Sequence, residues 1–163
     1  MANNEVLRKR VEALAARVNG ELEESLGTLI LKVKASYITE TLTAAKNFED
    51  TPCDFLHDLA GMDHTDHFEV VYQLCSLYGS QKLRVKAVVD RENPVIDSAT
   101  SIWGGANFLE REAYDMFGIQ FKGHPNLKRI YLWDDFVGFP MRKDYVTESV
   151  EVRNTVRVRR EDD

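Results

Sequence analysis

The sequence contains little cysteine and no long apolar run, and each absence excludes a class of protein. Its 163 residues include two cysteines, Cys53 and Cys75, in separate segments. They form no CxxC pair and no Cys/His group with metal-ligand spacing. Because an iron–sulfur cluster needs several thiolates, we expect this chain to carry no cluster by itself. No apolar run approaches the roughly 20 residues that a bilayer-crossing helix needs, so no membrane-spanning segment is expected.

An excess of positive charge is also absent. The chain holds 27 Asp and Glu against 21 Lys and Arg, a net charge of −6 at pH 7. A nucleic-acid binder with a broad phosphate footprint would normally be basic, so nucleic acid is not expected as a partner. The alternative, binding through the basic run at residues 153–160, requires that run to outweigh the acidic remainder.

The start of the sequence has no basic-then-apolar pattern of a signal peptide. Unpaired cysteines are typical of a reducing compartment. We therefore expect the protein to be cytosolic, or attached to a membrane complex from the cytosolic side.

Apolar spacing predicts three helices. The first has four apolar residues that recur every three or four positions, namely Leu7, Val11, Leu14 and Val18. Two further helices are predicted at residues 39–48 and 105–117, and Gly118 is suited to end the last one.

The clearest strand signal is a pair of alternating segments, residues 68–75 and 83–89, which predict a β-hairpin with one buried face. Shorter strands are predicted at residues 29–34, 55–62, 129–133 and 150–159. The order of elements predicts an α+β fold, with a small, mostly antiparallel (mixed) sheet and helices packed on one face.

The chain divides into two parts by character. Residues 1–120 are expected to form a globular α+β domain, and residues 121–163 an extended C-terminal arm. The arm is rich in Gly, Pro and aromatic residues and is longer than an ordinary loop. We expect such a segment either to be functional itself or to lie on a partner, with aromatic anchors at Tyr131, Trp133, Phe136, Phe139 and Tyr145.

The last predicted helix carries an acidic residue between large apolar ones. Phe108, Glu112 and Met116 are spaced by four and share one helical face. A carboxylate there must either stay near the surface or find a cationic partner, and the candidates in the arm are Arg129, Arg142 and His124. We expect Glu112 to anchor the arm through a partly buried ion pair. The alternative is a titrating carboxylate in a proton or quinone path.

The other charged residues of this helix are expected on its remaining faces. Glu110, Arg111 and Asp115 would lie in solvent or at an interface, with Arg111 and Asp115 as a weak pair four positions apart. In the arm, an arginine fork beside a carboxylate, Arg142 near Asp144, suits bidentate pairing within or between chains.

The histidines offer a catalytic or metal-binding alternative. His124 precedes Pro125, which restricts it to an extended turn, so a structural role is favoured. Two histidines three apart, His64 and His67, could ligate zinc on a helix. They lie between two predicted strands, where a polar turn is the simpler interpretation. A stand-alone enzyme using Asp63, His64, His67 or His124 remains the third hypothesis.

Four blocks of the sequence resemble one family, in the same order. They are Glu110-Arg111-Glu112, then residues 114–119, then Phe121 with residues 123–130, then residues 138–145. The series closely resembles the C subunit of respiratory NADH–quinone oxidoreductase, the thirty-kilodalton subunit of complex I, over roughly residues 25–153. Two positions depart from the family pattern: Phe139 stands where His is frequent, and Met141 where Leu is usual.

The resemblance implies a cofactor-free peripheral-arm subunit that supports assembly and packs on the D subunit near the quinone site. FMN and iron–sulfur clusters would lie in partner subunits, with NADH and quinone as substrates of the proton-translocating complex. The isolated chain would be non-catalytic, with no catalytic, cofactor-binding or metal residue. The family-motif and interface residues would be Glu110, Arg111, Glu112, Asp115, Gly118, Gly123, His124, Pro125, Arg129, Pro140, Arg142, Lys143 and Asp144.

A second kind of complex could use the same chain. The runner-up is the equivalent subunit of a membrane-bound hydrogenase or of a ferredoxin- or F420-driven dehydrogenase, because those relatives share the Glu110-Arg111-Glu112 and Gly123-His124-Pro125 blocks. The identity of the neighbouring subunits would discriminate between the two.

Overall fold

The computed structural model describes residues 2–146, with side chains from Glu5 onward. The helices and strands, in chain order, are α1 (Ala2–Val18), β1 (Glu21–Ser25), β2 (Thr28–Lys34), α2 (Ile38–Lys46), β3 (Phe55–Asp63), β4 (His67–Cys75), β5 (Lys82–Asp90), β6 (Val95–Asp97), α3 (Ala106–Phe117) and β7 (Gln120–Lys122).

The sheet is mixed, as the sequence predicted. Five strands lie in the order β1-β2-β5-β4-β3, with β2 and β5 parallel and the other neighbours antiparallel. Two short strands, β6 and β7, form a separate parallel pair. The parallel pair of β2 and β5 needs a long connection, which α2, β3 and β4 supply.

The core lies on one face of the large sheet. Alternate side chains of the central strands, such as Leu31, Tyr72 and Val85, are fully buried, and they form one cluster with Val11 of α1 and Leu42 of α2. Burying one large aliphatic side chain contributes about 1.5–3 kcal/mol relative to leaving it exposed. The period of two in the strands and of about 3.6 in the helices thus brings the apolar residues together.

Most predicted elements are confirmed within a few residues, and one is wrong. Residues 129–133 form no strand, because their backbone N–H groups bind a carboxylate of α3, described below. Strands β1, β6 and β7 were not predicted; β1 is exposed and acidic, so it shows no apolar alternation. The predicted strand at residues 150–159 lies outside the described residues.

Helix α3 crosses β3 at close range. A Cβ on Gly61 of β3 would lie 2.7 Å from a ring carbon of Phe117, so only glycine fits this crossing without displacement. The contact places the C-terminal end of α3 over the end of β3, where the arm begins. Within the described part of the chain, no helix is long and apolar enough to cross a membrane.

Candidate functional site

Asp115 is the centre of the junction between α3 and the C-terminal arm. Its side chain is completely buried, and Oδ1 accepts a hydrogen bond from Arg129 Nη1 at 2.9 Å. Oδ2 accepts the backbone N–H groups of Ile130, Tyr131 and Leu132 at 3.0, 2.8 and 3.1 Å. Burial acts to raise the pKa of Asp115, but these four donors prevail and hold the pKa below its usual range. An ionised carboxylate therefore ties the arm to the helix.

Two arginines satisfy carbonyl groups that the irregular arm cannot pair in a strand ladder. Arg129 Nη2 donates to the carbonyl oxygens of Phe136 and Gly138, both at 3.2 Å. From the helix, Arg111 donates through Nε to the carbonyl of Lys128 at 2.9 Å, and through Nη2 to that of Arg129 at 3.0 Å. Each guanidinium offers five N–H donors in a rigid fork. Arg111 and Arg129 together therefore fix the path of the arm over residues 128–138.

The end of α3 forms a second contact with the arm. The helix stops at Gly118, whose φ of 74° lies in the left-handed region. Arg142 of the arm lies beside this helix end, and its Nε donates a hydrogen bond to the backbone carbonyl of Phe117 at 2.6 Å. Its guanidinium lies 4.7 Å from the ring centre of Phe139 and 5.0 Å from that of Phe68, which suits a cation–π contact. The arm thus completes the cap of the helix.

Asp63, the last residue of β3, anchors the arm to the sheet. Its Oδ1 accepts a hydrogen bond from Arg91 Nη1 at 2.6 Å, and its Oδ2 accepts one from the backbone N–H of Lys143 at 2.8 Å. Arg91 also binds Asp144 of the arm, at 2.8 Å. Burial opposes ionisation, but the donors Arg91 and Lys143 lower the pKa of Asp63 to about 2. The sheet therefore holds the arm through a second ionised carboxylate.

Glu110, on the buried side of α3, binds the segment that precedes the helix. It is fully buried, and its oxygens accept hydrogen bonds from Ser98 Oγ and from the backbone N–H of Ala99, both at 2.6 Å. No cationic side chain among residues 5–146 pairs with it. Burial raises the pKa of Glu110 to about 7, against the lowering effect of these two donors.

A pH dependence of stability follows from the buried Glu110. Because its folded-state pKa lies above the ordinary 4.5, the folded chain binds more protons than the unfolded one between these values. The stability due to Glu110 is complete below about pH 4.5 and is lost as the pH rises through about 7. The shift corresponds to about 3 kcal/mol. We expect Glu110→Gln to remove this loss, as measured by urea unfolding of the full chain across that range.

The matched control for this prediction is Glu112→Gln, since Glu112 lies exposed on the same helix. We expect its unfolding free energy to follow the wild-type pH profile. A Glu110→Gln profile parallel to that of the wild type would show that folding does not raise the pKa of Glu110.

The anchor predicted at Glu112 is wrong. Glu112 is exposed, and within the described part of the chain its carboxylate has one hydrogen-bond partner, the hydroxyl of Tyr131 at 3.5 Å. The proposed partners are used elsewhere: Arg129 pairs with Asp115, and Arg142 binds the carbonyl of Phe117. The prediction assumed that Phe108 marks a buried face, but Phe108 is 65% exposed.

The placement of three other charged residues is also corrected. Glu110 and Asp115 are fully buried rather than solvated, and Arg111 binds arm carbonyls instead of Asp115. Asp144 of the arm pairs with Arg91. Sequence reasoning missed Arg91 as a site residue, because only the strand register brings it beside Asp63.

The histidines take structural positions. His124 Nε2 lies 3.1 Å from the carbonyl of Asn107, and its Nδ1 accepts the backbone N–H of Asn126 at 3.0 Å. The polar turn predicted between β3 and β4 is confirmed, with His64 and His67 stacked at a ring distance of 4.8 Å. Both rings approach Glu69, which Lys32 and Lys86 also contact at 3.4 and 3.3 Å.

Several large apolar side chains of the arm are exposed. Among the five predicted anchors, Phe136, Phe139 and Tyr145 are half-buried and pack on neighbouring rings, whereas Tyr131 and Trp133 are 65% and 64% exposed. Three more large apolar residues of the arm also face solvent. We call the exposed set the arm patch; it consists of Tyr131, Trp133, Val137, Met141 and Val146.

The chain is similar to known proteins of one family. Residues 31–151 match the family described as the 30 Kd subunit of respiratory-chain NADH dehydrogenase. The C subunit of NADH-quinone oxidoreductase from Citrifermentans bemidjiense is 42% identical over 146 residues, which are 88% of this chain and 89% of that protein. Its counterpart from Moorella thermoacetica is 42% identical over 127 residues, 77% of this chain and 84% of that protein.

Solved structures share the fold. The trypsin-resistant fragment of Nqo5 has a TM-score of 0.61 and 32% identity, covering 75% of this chain and 99% of the fragment. A chain of the membrane-bound sulfane sulfur reductase, an archaeal respiratory membrane complex, has a TM-score of 0.74 at 22% identity, covering 90% of this chain and 86% of that chain. At 22% identity, the likeness to the sulfane sulfur reductase chain shows only that the two chains share a fold. The chain belongs to the family of the 30 kDa subunit of respiratory-chain NADH dehydrogenase.

Proposed function

We propose that this chain is the cofactor-free peripheral-arm subunit of a proton-translocating NADH:quinone oxidoreductase, where it supports assembly. One observation carries the proposal beyond family membership: an irregular segment is fixed at several points, yet it keeps large apolar side chains in solvent. A segment fixed by Asp63 and Asp115 is ordered before it meets a partner, which lowers the entropy cost of binding. Several large apolar side chains exposed on one fixed segment are typical of a protein-interaction site.

The partner of the arm patch is proposed to be the D subunit, which resembles a hydrogenase large subunit and lies near the quinone site. In this account residues 1–120 are the rigid body, and residues 121–163 form the arm that packs on the partner. The family-motif residues then have two roles. Arg111, Asp115 and Arg129 shape the arm from within, whereas Glu112 and Lys143 are exposed and available to the partner.

The chemistry of the complex would lie in other subunits. FMN and iron–sulfur clusters would be held by partners, and NADH and quinone would react there, so the isolated chain would show no turnover. Attachment to the cytoplasmic side of the inner membrane would come through the complex. The fold shared with the archaeal respiratory complex keeps the second candidate open, an equivalent subunit of a hydrogenase-related or ferredoxin-driven machine.

Co-purification tests the proposal. A tagged full-length chain, expressed in its native cells and recovered in mild detergent, is expected to bring down the D subunit together with flavin- and NADH-binding subunits. We expect the double variant Trp133→Ser/Val137→Ser to reduce the recovered D subunit about tenfold, since exposed aromatic residues dominate such interfaces. Met62→Ser, an equally simple change of an exposed apolar residue on β3, is the control and should have no effect.

Recovery of hydrogenase-type or ferredoxin-linked subunits in place of the NADH-binding ones would replace the first proposal by the second. Quinone reduction by the isolated chain would contradict both.

A further inference from the structure

Glu110 and Asp115 are both buried acids of α3, but their surroundings differ. Asp115 has four hydrogen-bond donors, and one of them is the charged side chain of Arg129. Among the described residues, Glu110 has two donors, Ser98 Oγ and the backbone N–H of Ala99. Burying an ionised carboxylate with so few partners is costly, so the position of Glu110 favours the protonated acid.

Two hydroxyl groups connect Glu110 with the surface. Ser98 Oγ lies 2.6 Å from Glu110 Oε2 and 2.7 Å from Thr100 Oγ1, and Thr100 is partly exposed. Each hydroxyl donates one hydrogen bond and accepts others, so the chain can conduct a proton inward. A hydronium ion protonates Thr100 Oγ1 while Thr100 passes its own hydroxyl proton to Ser98 and Ser98 passes its own to Glu110. Water, two intact hydroxyls and a carboxylic acid that donates to Ser98 remain.

The titratable groups near Glu110 on the neighbouring strands offer it no positive charge. Tyr72 of β4 is completely buried. Burial, followed by the charges of Glu110 and of Asp97 on β6, raises the pKa of the Tyr72 hydroxyl well above its usual range. The hydroxyl is therefore neutral, and Asp97 is a second acid beside it. Ionisation of Glu110 would thus add negative charge to a buried region that already has an acid at its edge.

The two donors of the acid belong to a loop, residues 98–105, that joins β6 to α3. Two further side chains fix this loop: Lys46 Nζ donates to the carbonyl of Ile102 at 2.6 Å, and Trp103 Nε1 donates to that of Asp54 at 2.9 Å. Segments that are held by a few side chains rather than by a strand ladder belong to the low-stability end of a structure. The loop is therefore able to open while the sheet stays folded.

We propose that Glu110 and the loop of residues 98–105 form a pH-sensitive latch, in which the protonated acid holds the loop on α3 and the ionised acid releases it. When the loop lifts, water reaches the carboxylate and removes the cost of its burial. The backbone N–H of Ser98 donates to the carbonyl of Lys122 in β7 at 2.8 Å, and the arm continues directly from β7. Release of the loop therefore loosens the base of the arm. The latch lies within one chain, so it operates whether or not the proposed function holds.

Hydrogen exchange of the loop amides in the full-length chain measures this opening. The amides to follow are those of Ala99, Ile102 and Trp103, which are hydrogen-bonded in the closed loop. The pKa of Glu110 is about 7 when the loop is closed and returns to the ordinary 4.5 when it is open, so a rising pH favours opening between these values. We expect protection, corrected for the intrinsic pH dependence of exchange, to fall about tenfold per pH unit from pH 5 to pH 7 and to level off above that.

Two variants and a denaturant series separate the latch from other effects. Glu110→Gln imitates the protonated acid, because its amide can donate to Ser98 Oγ and accept from the N–H of Ala99, so its loop protection should not vary with pH. Glu112→Gln, a change of an exposed acid on the same helix, should keep the wild-type pH dependence. Low concentrations of urea should leave loop protection unchanged while they reduce that of the β4–β5 ladder, since local opening exposes little surface.

Loop protection that is independent of pH in the wild type would overturn the inference. So would a pH dependence that persists in Glu110→Gln, because another group would then control the opening. Equal urea dependence of the loop and of the β4–β5 ladder would also overturn it, since the loop would then open only when the whole chain unfolds.

Discussion

Replacing Asp115 by asparagine is expected to lower the free energy of unfolding of the full chain by about 3–5 kcal/mol, the range for breaking a buried ion pair. The asparagine Nδ2 would have to face either Arg129 or the three N–H groups of residues 130–132, which are all donors. One buried donor would then meet another, and Arg129 would lose its counter-charge. Urea unfolding of the full chain, with limited proteolysis to follow the arm, measures the effect.

The pH dependence of this prediction has a definite sign. Burial opposes ionisation of Asp115, but its four donors lower the folded-state pKa below the ordinary 3.8. Its stabilising contribution is therefore present above the ordinary pKa and is lost as the pH falls through the folded-state value. We expect the wild type and Asp115→Asn to differ most near neutral pH and to converge in acid. Glu112→Gln is the control on the same helix. An equal loss of unfolding free energy in both variants would contradict the conclusion that Asp115 is the centre of the junction between α3 and the arm.

Replacing Gly118 by alanine is expected to have the second large effect. The left-handed φ of 74° alone costs an alanine about 1 kcal/mol. The new Cβ would also lie 2.6 Å from ring carbons of Phe139 and 2.7 Å from Arg142 Nη2, so the cap that the arm places on α3 must move. We expect a total loss of about 2–4 kcal/mol, together with faster cleavage of the arm.

Gly123→Ala is the matched control for Gly118→Ala. Gly123 has a φ of 84°, but nothing lies within 4 Å of its Cβ position, so only the backbone cost of about 1 kcal/mol applies. The difference between the two variants isolates the contact with Phe139 and Arg142. Equal losses would show that the arm does not pack tightly on the end of α3.

The sequence predicted the fold well where side chains alternate with a clear period. The hairpin of β4 and β5 and the helices α1, α2 and α3 follow from such patterns, and the mixed sheet follows from their order. Strand β1 could not be found in this way, since its exposed, acidic residues are held by pairing with β2.

The motif of the junction was visible in the sequence, but the roles of its residues were not. Large apolar neighbours favoured Glu112 as the buried acid, whereas Phe108 is exposed and the inner face of α3 carries the small Ala106 and Ala113 with Glu110. Small side chains let the neighbouring segments approach the helix. Which face of α3 is buried therefore depends on tertiary packing rather than on helical spacing. A buried Asp115 that collects three successive backbone N–H groups requires an arm conformation that has no sequence period.

The arm patch is the central claim, and cross-linking from Trp133 in the intact complex tests it most directly. With a photoreactive benzoylphenylalanine at position 133 of the tagged full-length chain, we expect a cross-linked product that contains the D subunit. The same group at position 62, on β3, should give no such product. A cross-link from position 133 to other proteins alone, or none above the position-62 background, would contradict the account.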